Sequence, residues 1–244
     1  MKIAIISDVH SNLEALQSVK KDIETQGIDE VHCLGDTLGY NANPLECLNI
    51  VLQMCKTVLK GNHEDSVCNL EKCYDLNRLA SEGVYFSRKK LTQGIIDGID
   101  KFPCVKQLPD LDLVLCHGSF TEPSMWKYLD TPYKAKQELE KIPRRICLVG
   151  HTHTPFVFCS KKGLHKYIPD NLELDLEAKY IINVGSVGQP RDGDCRSSYA
   201  MLEFKDNTVI FNLRRVFYDI SKTARAMFDA QISTELSERL YLGE

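Results

Sequence analysis

The chain has 244 residues, a formal net charge of -4, 43% hydrophobic and 26% charged residues. That composition is ordinary for a globular protein and excludes disorder. No long Lys/Arg run marks a binder of long nucleic acids, and no apolar stretch approaches the roughly 18–20 residues of a membrane span.

Lys2 to Ile6 is a short apolar, β-branched run and reads as a buried strand. Asn12 is placed to cap a helix whose Leu13, Leu16, Val19 and Ile23 share a face, and Gly27 closes it. Val31 to Leu34 is the next strand, so the chain opens with a βαβ unit. A helix follows over Pro44 to Met54 and a short strand over Thr57 to Leu59. Asp65 to Leu91 has helical character, with Gly83 as its expected break. Strands then dominate: Leu113–Cys116, Ile146–Val149, Phe156–Cys159, Tyr180–Asn183, Tyr199–Phe204 and Thr208–Arg214, the last two joined at Asp206-Asn207. Ser221 to Leu242 returns to helical periodicity. So many strands after the first unit fit two sheets better than one. Neither a repeat nor a linker interrupts the chain, and one domain over 1–244 is expected.

Ten cysteines are present, below the 8–10% density of a disulfide scaffold, and none form C-x-x-C. Cys33, Cys116 and Cys147 sit in apolar runs and read as buried small hydrophobes. Met1 to Ser7 is too short for a signal peptide, and Asp8 interrupts it. A reducing, cytoplasmic setting is expected.

Polar residues gather just past the predicted strand ends: Asp8-Val9-His10, Gly35-Asp36, Gly61-Asn62-His63-Glu64, His117-Gly118 and Gly150-His151-Thr152-His153. Each block alone has a blander reading as a cap or turn. Together they converge where open α/β sheets build their sites. On an extended segment His151 and His153 would share a face. Imidazoles with carboxylates suit Mn, Fe, Zn or Ni better than Mg or Ca. Two divalent ions about 3.5–4 Å apart need a bridging carboxylate, for which Asp36 is the natural candidate. Asn62 adds a neutral carbonyl oxygen, leaving such a site cationic toward phosphate.

The five blocks resemble the signature of the calcineurin-like metallophosphoesterase superfamily: D-x-H, G-D, G-N-H-[ED], H and G-H-x-H. The segment Asn183 to Arg191, and the tail around Tyr218-Asp219-Ile220 with Lys222 to Arg225, resemble its small prokaryotic branch of phosphodiesterases and diadenosine-polyphosphate hydrolases. The resemblance implies a four-layer αββα sandwich with two mixed β-sheets. It implies two metal ions, Mn foremost with Fe, Zn or Ni also fitting. Asp8, His10, Asp36 and His153 would hold the first; Asp36, Asn62, His117 and His151 would hold the second. A bridging water or hydroxide would attack phosphorus in line, and His63 would contact phosphate and protonate the leaving oxygen.

The protein-phosphatase branch carries G-D-x-x-D-R-G, whereas Asp36 here is followed by Thr37-Leu38-Gly39-Tyr40. That departure directs the expectation to small phosphomonoesters, phosphodiesters or nucleotides, with a dinucleoside-polyphosphate hydrolase as the alternative. Arg191 or the backbone N–H groups around Gly185–Gly188 are candidates for meeting phosphate. Tyr40 and Trp126 are candidates for stacking on a base. His32 reads as a strand residue and His165 as an exposed loop residue. A non-catalytic scaffold of this fold is disfavoured by the complete ligand set, and a nuclease by the acidic balance.

Overall fold

A computed structural model of the chain describes residues 1–165 and 168–244. In chain order the elements begin with β1 (Lys2–Ile6), α1 (Leu13–Thr25), β2 (Glu30–Cys33), α2 (Pro44–Met54) and β3 (Thr57–Val58). Next come α3 (Asn62–Cys68), α4 (Arg78–Lys90), α5 (Gln93–Ile99), β4 (Val105–Leu108), β5 (Leu113–Cys116) and α6 (Pro132–Leu139). Strands β6 (Ile146–Val149), β7 (Phe156–Cys159), β8 (Gly163–His165), β9 (Leu172–Leu174) and β10 (Tyr180–Asn183) follow. The long hairpin β11 (Ser197–Lys205) and β12 (Thr208–Val216) leads into α7 (Ile220–Asp229) and α8 (Thr234–Leu242).

The strands form two six-stranded sheets, ordered β3-β2-β1-β11-β12-β9 and β4-β5-β6-β10-β7-β8. Both are mixed: β1 is parallel to β2 and antiparallel to β11, while β10 is parallel to β6 and antiparallel to β7. Period-two alternation sorts the side chains into layers. Ile3 and Ile5 of β1 pack with Leu113, Leu115, Ile146, Leu148 and Ile182 between the sheets. Ala4 and Ile6 face the other way, against Leu16, Val19 and Ile23 of α1 and Cys47 and Val51 of α2. On the second sheet Val114, Cys147 and Ile181 face Ala135 and Leu139 of α6. The resulting order is helix, sheet, sheet, helix, the expected αββα sandwich.

Asn12 caps α1 by accepting from Ala15 N at 3.2 Å, and Gly27 is left-handed at φ 65°. All ten cysteines are free, and Cys33, Cys116 and Cys147 are wholly buried. His32 is a buried strand residue as expected, but His165 lies in the edge strand β8 rather than a loop.

The segment 65–91 corrects the expected break. It breaks at 69–77, where a 3₁₀ turn spans Leu70–Asp75 between Asn69 and Asn77. Gly83 lies inside α4 and serves a different need: a Cβ there would meet Tyr40 N at 2.1 Å. The bare helix face lets α4 lie directly on the backbone that carries Tyr40. Helix propensity alone makes Gly83→Ala stabilising by up to about 1 kcal/mol. The close approach reverses the sign, and we expect a loss of about 1–3 kcal/mol. Urea unfolding measures this; a raised midpoint would show that the approach is no constraint.

Candidate metal centre

The parallel strands β1, β2 and β3 of one sheet, and β5 and β6 of the other, end at a common edge. Their outgoing loops carry all five sequence blocks. The first two loops are zipped together by Asp8 N–H to Gly35 O at 3.1 Å, His10 N–H to Asp36 O at 2.9 Å and Ser11 N–H to Thr37 O at 2.8 Å. Asp8, His10, Asp36, His151 and His153 all adopt left-handed φ, between 49° and 65°. Such conformations cost on the order of 1–3 kcal/mol each in non-glycine residues and cluster at functional sites. They also correct one expectation: His151 and His153 do not lie on an extended segment. The loop turns, and the two rings go to different partners.

Glu64 fixes the third loop to the second. Its carboxylate accepts from Asp36 N at 2.7 Å, Thr37 N at 2.8 Å, Leu38 N at 3.1 Å and Gly61 N at 2.9 Å. Burial and the Asp36 charge push its carboxyl up to about 7, against the pull of the N–H donors. Gly61 is required by the closeness of this contact, because a Cβ there would meet Asp36 Oδ1 at 2.1 Å.

Asp8, His10 and His153 offer ligand atoms within 4.8 Å of one another, and so do Asp36, His117 and His151. His10 Nδ1 donates to Leu38 O at 2.9 Å, and His153 Nδ1 donates to Gln189 O at 2.6 Å. Each ring therefore presents an Nε2 lone pair, and these two nitrogens are 3.0 Å apart. Burial and Arg191 push His153 down to about 3, which disfavours a proton on that ring. Asp8 Oδ1 is buried without a hydrogen-bond partner and lies 3.2 Å from His153 Nε2. Converging lone pairs with an unpartnered carboxylate oxygen are a donor set that a cation satisfies.

The second cluster is built alike. His151 Nε2 donates to Trp126 O at 2.7 Å, which leaves Nδ1 facing His117 Nε2 at 3.2 Å. His117 Nε2 is 3.2 Å from Asp36 Oδ2 and 3.3 Å from Asn62 Oδ1. Asp36 Oδ2 is also 3.7 Å from His10 Nε2, so this carboxylate lies between the clusters. Burial disfavours charge on His117, but Asp36 and Asp8 outweigh it and push the ring up to about 9. Burial pushes the Asp36 carboxyl up; His117 and His63 reverse this and hold it well below its usual range.

His63 sits beside both clusters. Its backbone N–H donates to Asp36 Oδ1 at 2.9 Å, and its ring packs edge-on to His10 with centroids 4.6 Å apart. Nδ1 is buried without a partner, so Nε2 is the nitrogen open to the cavity above the clusters. Burial holds the ring well below the usual imidazole range. That cavity measures about 110 Å³ and is walled by Tyr40, Asn62, His63, Asp75, Asn77 and Arg191 among others.

The outer residues divide. Arg191 reaches the cavity, donating from Nη2 to Tyr40 Oη at 3.1 Å, and its Nε is buried without a partner. Tyr40 is only 4% exposed, with its ring against His10 and His63, so it offers the cavity its hydroxyl rather than a stacking face. Trp126 donates its indole N–H to Asp65 at 3.0 Å and packs edge-on to His117, outside the lining of the cavity, so it offers no stacking platform there. The N–H groups of Gly185, Val187 and Gly188 are already bonded to Asn183 Oδ1, Ser7 O and Asp8 O, so they are not free for phosphate. The exposed aromatic at the rim is Tyr128, stacked on His151 at 4.1 Å and 8°. Sequence reasoning missed Tyr128, which lies in a segment without periodicity, and gave Glu64 no role although it completes the third block.

Comparisons with known proteins place the chain in a family. The family model of the calcineurin-like phosphoesterase superfamily domain matches residues 1–207. The chain is 34% identical over 245 residues to the uncharacterized protein MJ0912 of Methanocaldococcus jannaschii, covering 99% of this chain and 98% of that protein. The crystal structure of a metallophosphoesterase from Sphaerobacter thermophilus superposes with a TM-score of 0.86 at 32% identity, covering 100% of both chains. A hypothetical protein, PH1004 from Pyrococcus horikoshii OT3, shares the fold with a TM-score of 0.79 at 14% identity, covering 100% of this chain and 98% of that one. On the family match and the two relatives above 30% identity, the chain belongs to the calcineurin-like phosphoesterase superfamily.

Proposed function

We propose that this protein is a metal-dependent phosphoesterase acting on small phosphomonoesters, phosphodiesters or nucleotides. The observation that carries the reading is the pair of Nε2 lone pairs on His10 and His153, 3.0 Å apart beside the unpartnered Asp8 Oδ1. One ion would be held by Asp8, His10, Asp36 and His153. A second would be held by Asp36, Asn62, His117 and His151. Mn fits this donor set, as do Fe, Zn and Ni. Bound divalent ions supply a Lewis acid that screens phosphate charge and lets water act as nucleophile near neutral pH.

The chain's own residues do the rest. Asp36 spans both clusters and holds their spacing. The neutral amide of Asn62 leaves the centre net positive toward an anion. Arg191, braced by the Tyr40 hydroxyl, meets a phosphate oxygen at the cavity wall. Burial holds the His63 ring below the usual imidazole range, and an arriving phosphate adds the negative charge that raises it. Nε2 of His63 then carries the proton delivered to the departing alcohol oxygen. Among the described residues Arg191 is the one Lys or Arg lining the cavity and Asp75 adds a negative charge, which favours a single phosphate over a polyphosphate chain.

Three outcomes follow from these assignments. Adding Mn²⁺ raises the melting temperature, by about 2.7 kcal/mol of stability at a hundredfold excess over Kd, and EDTA reverses the gain. A protein that binds no metal and is activated by none would sink the reading. His63→Asn keeps its metal content while turnover of bis(p-nitrophenyl) phosphate falls about 10²–10⁴-fold; near-normal turnover with metal retained would remove His63 from proton transfer. Glu64→Gln destabilises by about 1–3 kcal/mol and weakens metal binding about 10–100-fold. Calorimetric titration of Mn²⁺ checks the second figure, and unchanged affinity would mean that Glu64 does not position Asp36.

A further inference from the structure

A second cleft adjoins the cavity over the clusters. It measures about 340 Å³, is lined by Leu129, Asp130, Thr152, Thr154, Phe156 and Leu164, and shares Tyr128 and Arg191 with that cavity. Taking the phosphoesterase reading as its basis, an ester with its phosphate on the clusters reaches this cleft with its organic group by passing Arg191 and Tyr128.

The lining is selective. One face of Tyr128 is held parallel to the His151 ring, yet the residue remains 44% exposed. It is therefore a braced flat surface, ordered before any ligand arrives. Leu129, Phe156 and Leu164 supply apolar wall. Neither threonine has a free proton for a ligand: Thr152 Oγ1 donates to Thr154 O at 3.3 Å, and Thr154 Oγ1 donates to Arg191 O at 3.2 Å. Asp130 adds a carboxylate, paired to Lys134 at 2.8 Å, while Lys134 itself is not part of the lining. Among the described residues Arg191 is the one lining cation, at the border with the clusters and tied to Tyr40.

We propose that this cleft is the subsite for the alcohol part of the substrate. It takes a planar, uncharged ring on Tyr128 and disfavours a second anionic group, which would meet Asp130 and, among the described residues, no lining cation beyond Arg191.

The test uses non-hydrolysable phosphonates on the Mn²⁺-loaded protein. Calorimetric titration should give a Kd for benzylphosphonate about tenfold below that for propylphosphonate. A 4-carboxybenzylphosphonate should bind about tenfold more weakly than benzylphosphonate, and Asp130→Asn should recover most of that loss. Tyr128→Leu and Leu164→Arg, at an exposed and a half-buried position, should each collapse the benzyl preference. Equal affinity for the benzyl and propyl compounds, or a preference that survives both substitutions, overturns the subsite. Turnover of benzyl phosphate and ethyl phosphate, whose alcohols ionise alike, is followed in parallel. Hydrolysis of neither counts against the phosphoesterase reading, while the phosphonate affinities still decide the subsite.

Discussion

The candidate metal centre depends on one buried carboxylate. Strands β2 and β3 pair over only two residues, His32 with Thr57 and Cys33 with Val58. Beyond that short ladder little backbone pairing holds their outgoing loops together. Glu64 supplies the missing tie by accepting N–H groups from 36, 37 and 38 on one loop and from 61 on the other. Burying a carboxylate costs several kcal/mol. Four hydrogen bonds to a charged acceptor, each worth about 1.5–3 kcal/mol, recover part of that cost. The opposing terms leave the carboxyl pushed up to about 7, held by its donors against its surroundings. Asp36 and His63 inherit their positions from this tie.

The rest of the centre is held under strain. Five of the motif residues are left-handed, and two imidazole lone pairs face each other across 3.0 Å. Left-handed positions at 1–3 kcal/mol each would unravel a free loop. They persist because the loops leave strands that are buried on both faces, with Ile3 and Ile5 in the core between the sheets and Ala4 and Ile6 under α1. The stable core and the strained rim are the same strands read at different positions. A cation accepting the crowded lone pairs would convert the local repulsion into binding.

This division also explains what the sequence could disclose. Buried parallel strands are largely apolar runs, so Asp8, Asp36, His117 and His151 stand out within three residues of the end of each run. The same contrast made the α/β class and both strand-rich halves legible. Where burial is partial the contrast fades. Edge strand β4 reads Val-Lys-Gln-Leu with two exposed positions, β8 and β9 are three residues each, and α5 carries two glycines. None was anticipated, nor was α6. At 65–91 the strong glycine signal pointed to the wrong place. Asn69 and Asn77 carry the break, their side chains accepting from Glu71 N at 3.1 Å and Ala80 N at 2.9 Å. Gly83 instead answers a tertiary contact with Tyr40 that no local pattern contains.

The orientation of the histidines lies further from view still. His10 and His153 present Nε2 because their Nδ1 atoms face the carbonyls of Leu38 and Gln189. His151 presents Nδ1 because its Nε2 faces the carbonyl of Trp126. All three tautomers are thus chosen by main-chain oxygens, which every residue type carries equally. The identity of Leu38, Gln189 or Trp126 says nothing of that duty; only the path of the backbone does. The sequence names which imidazoles meet, and the fold decides which nitrogen each one offers.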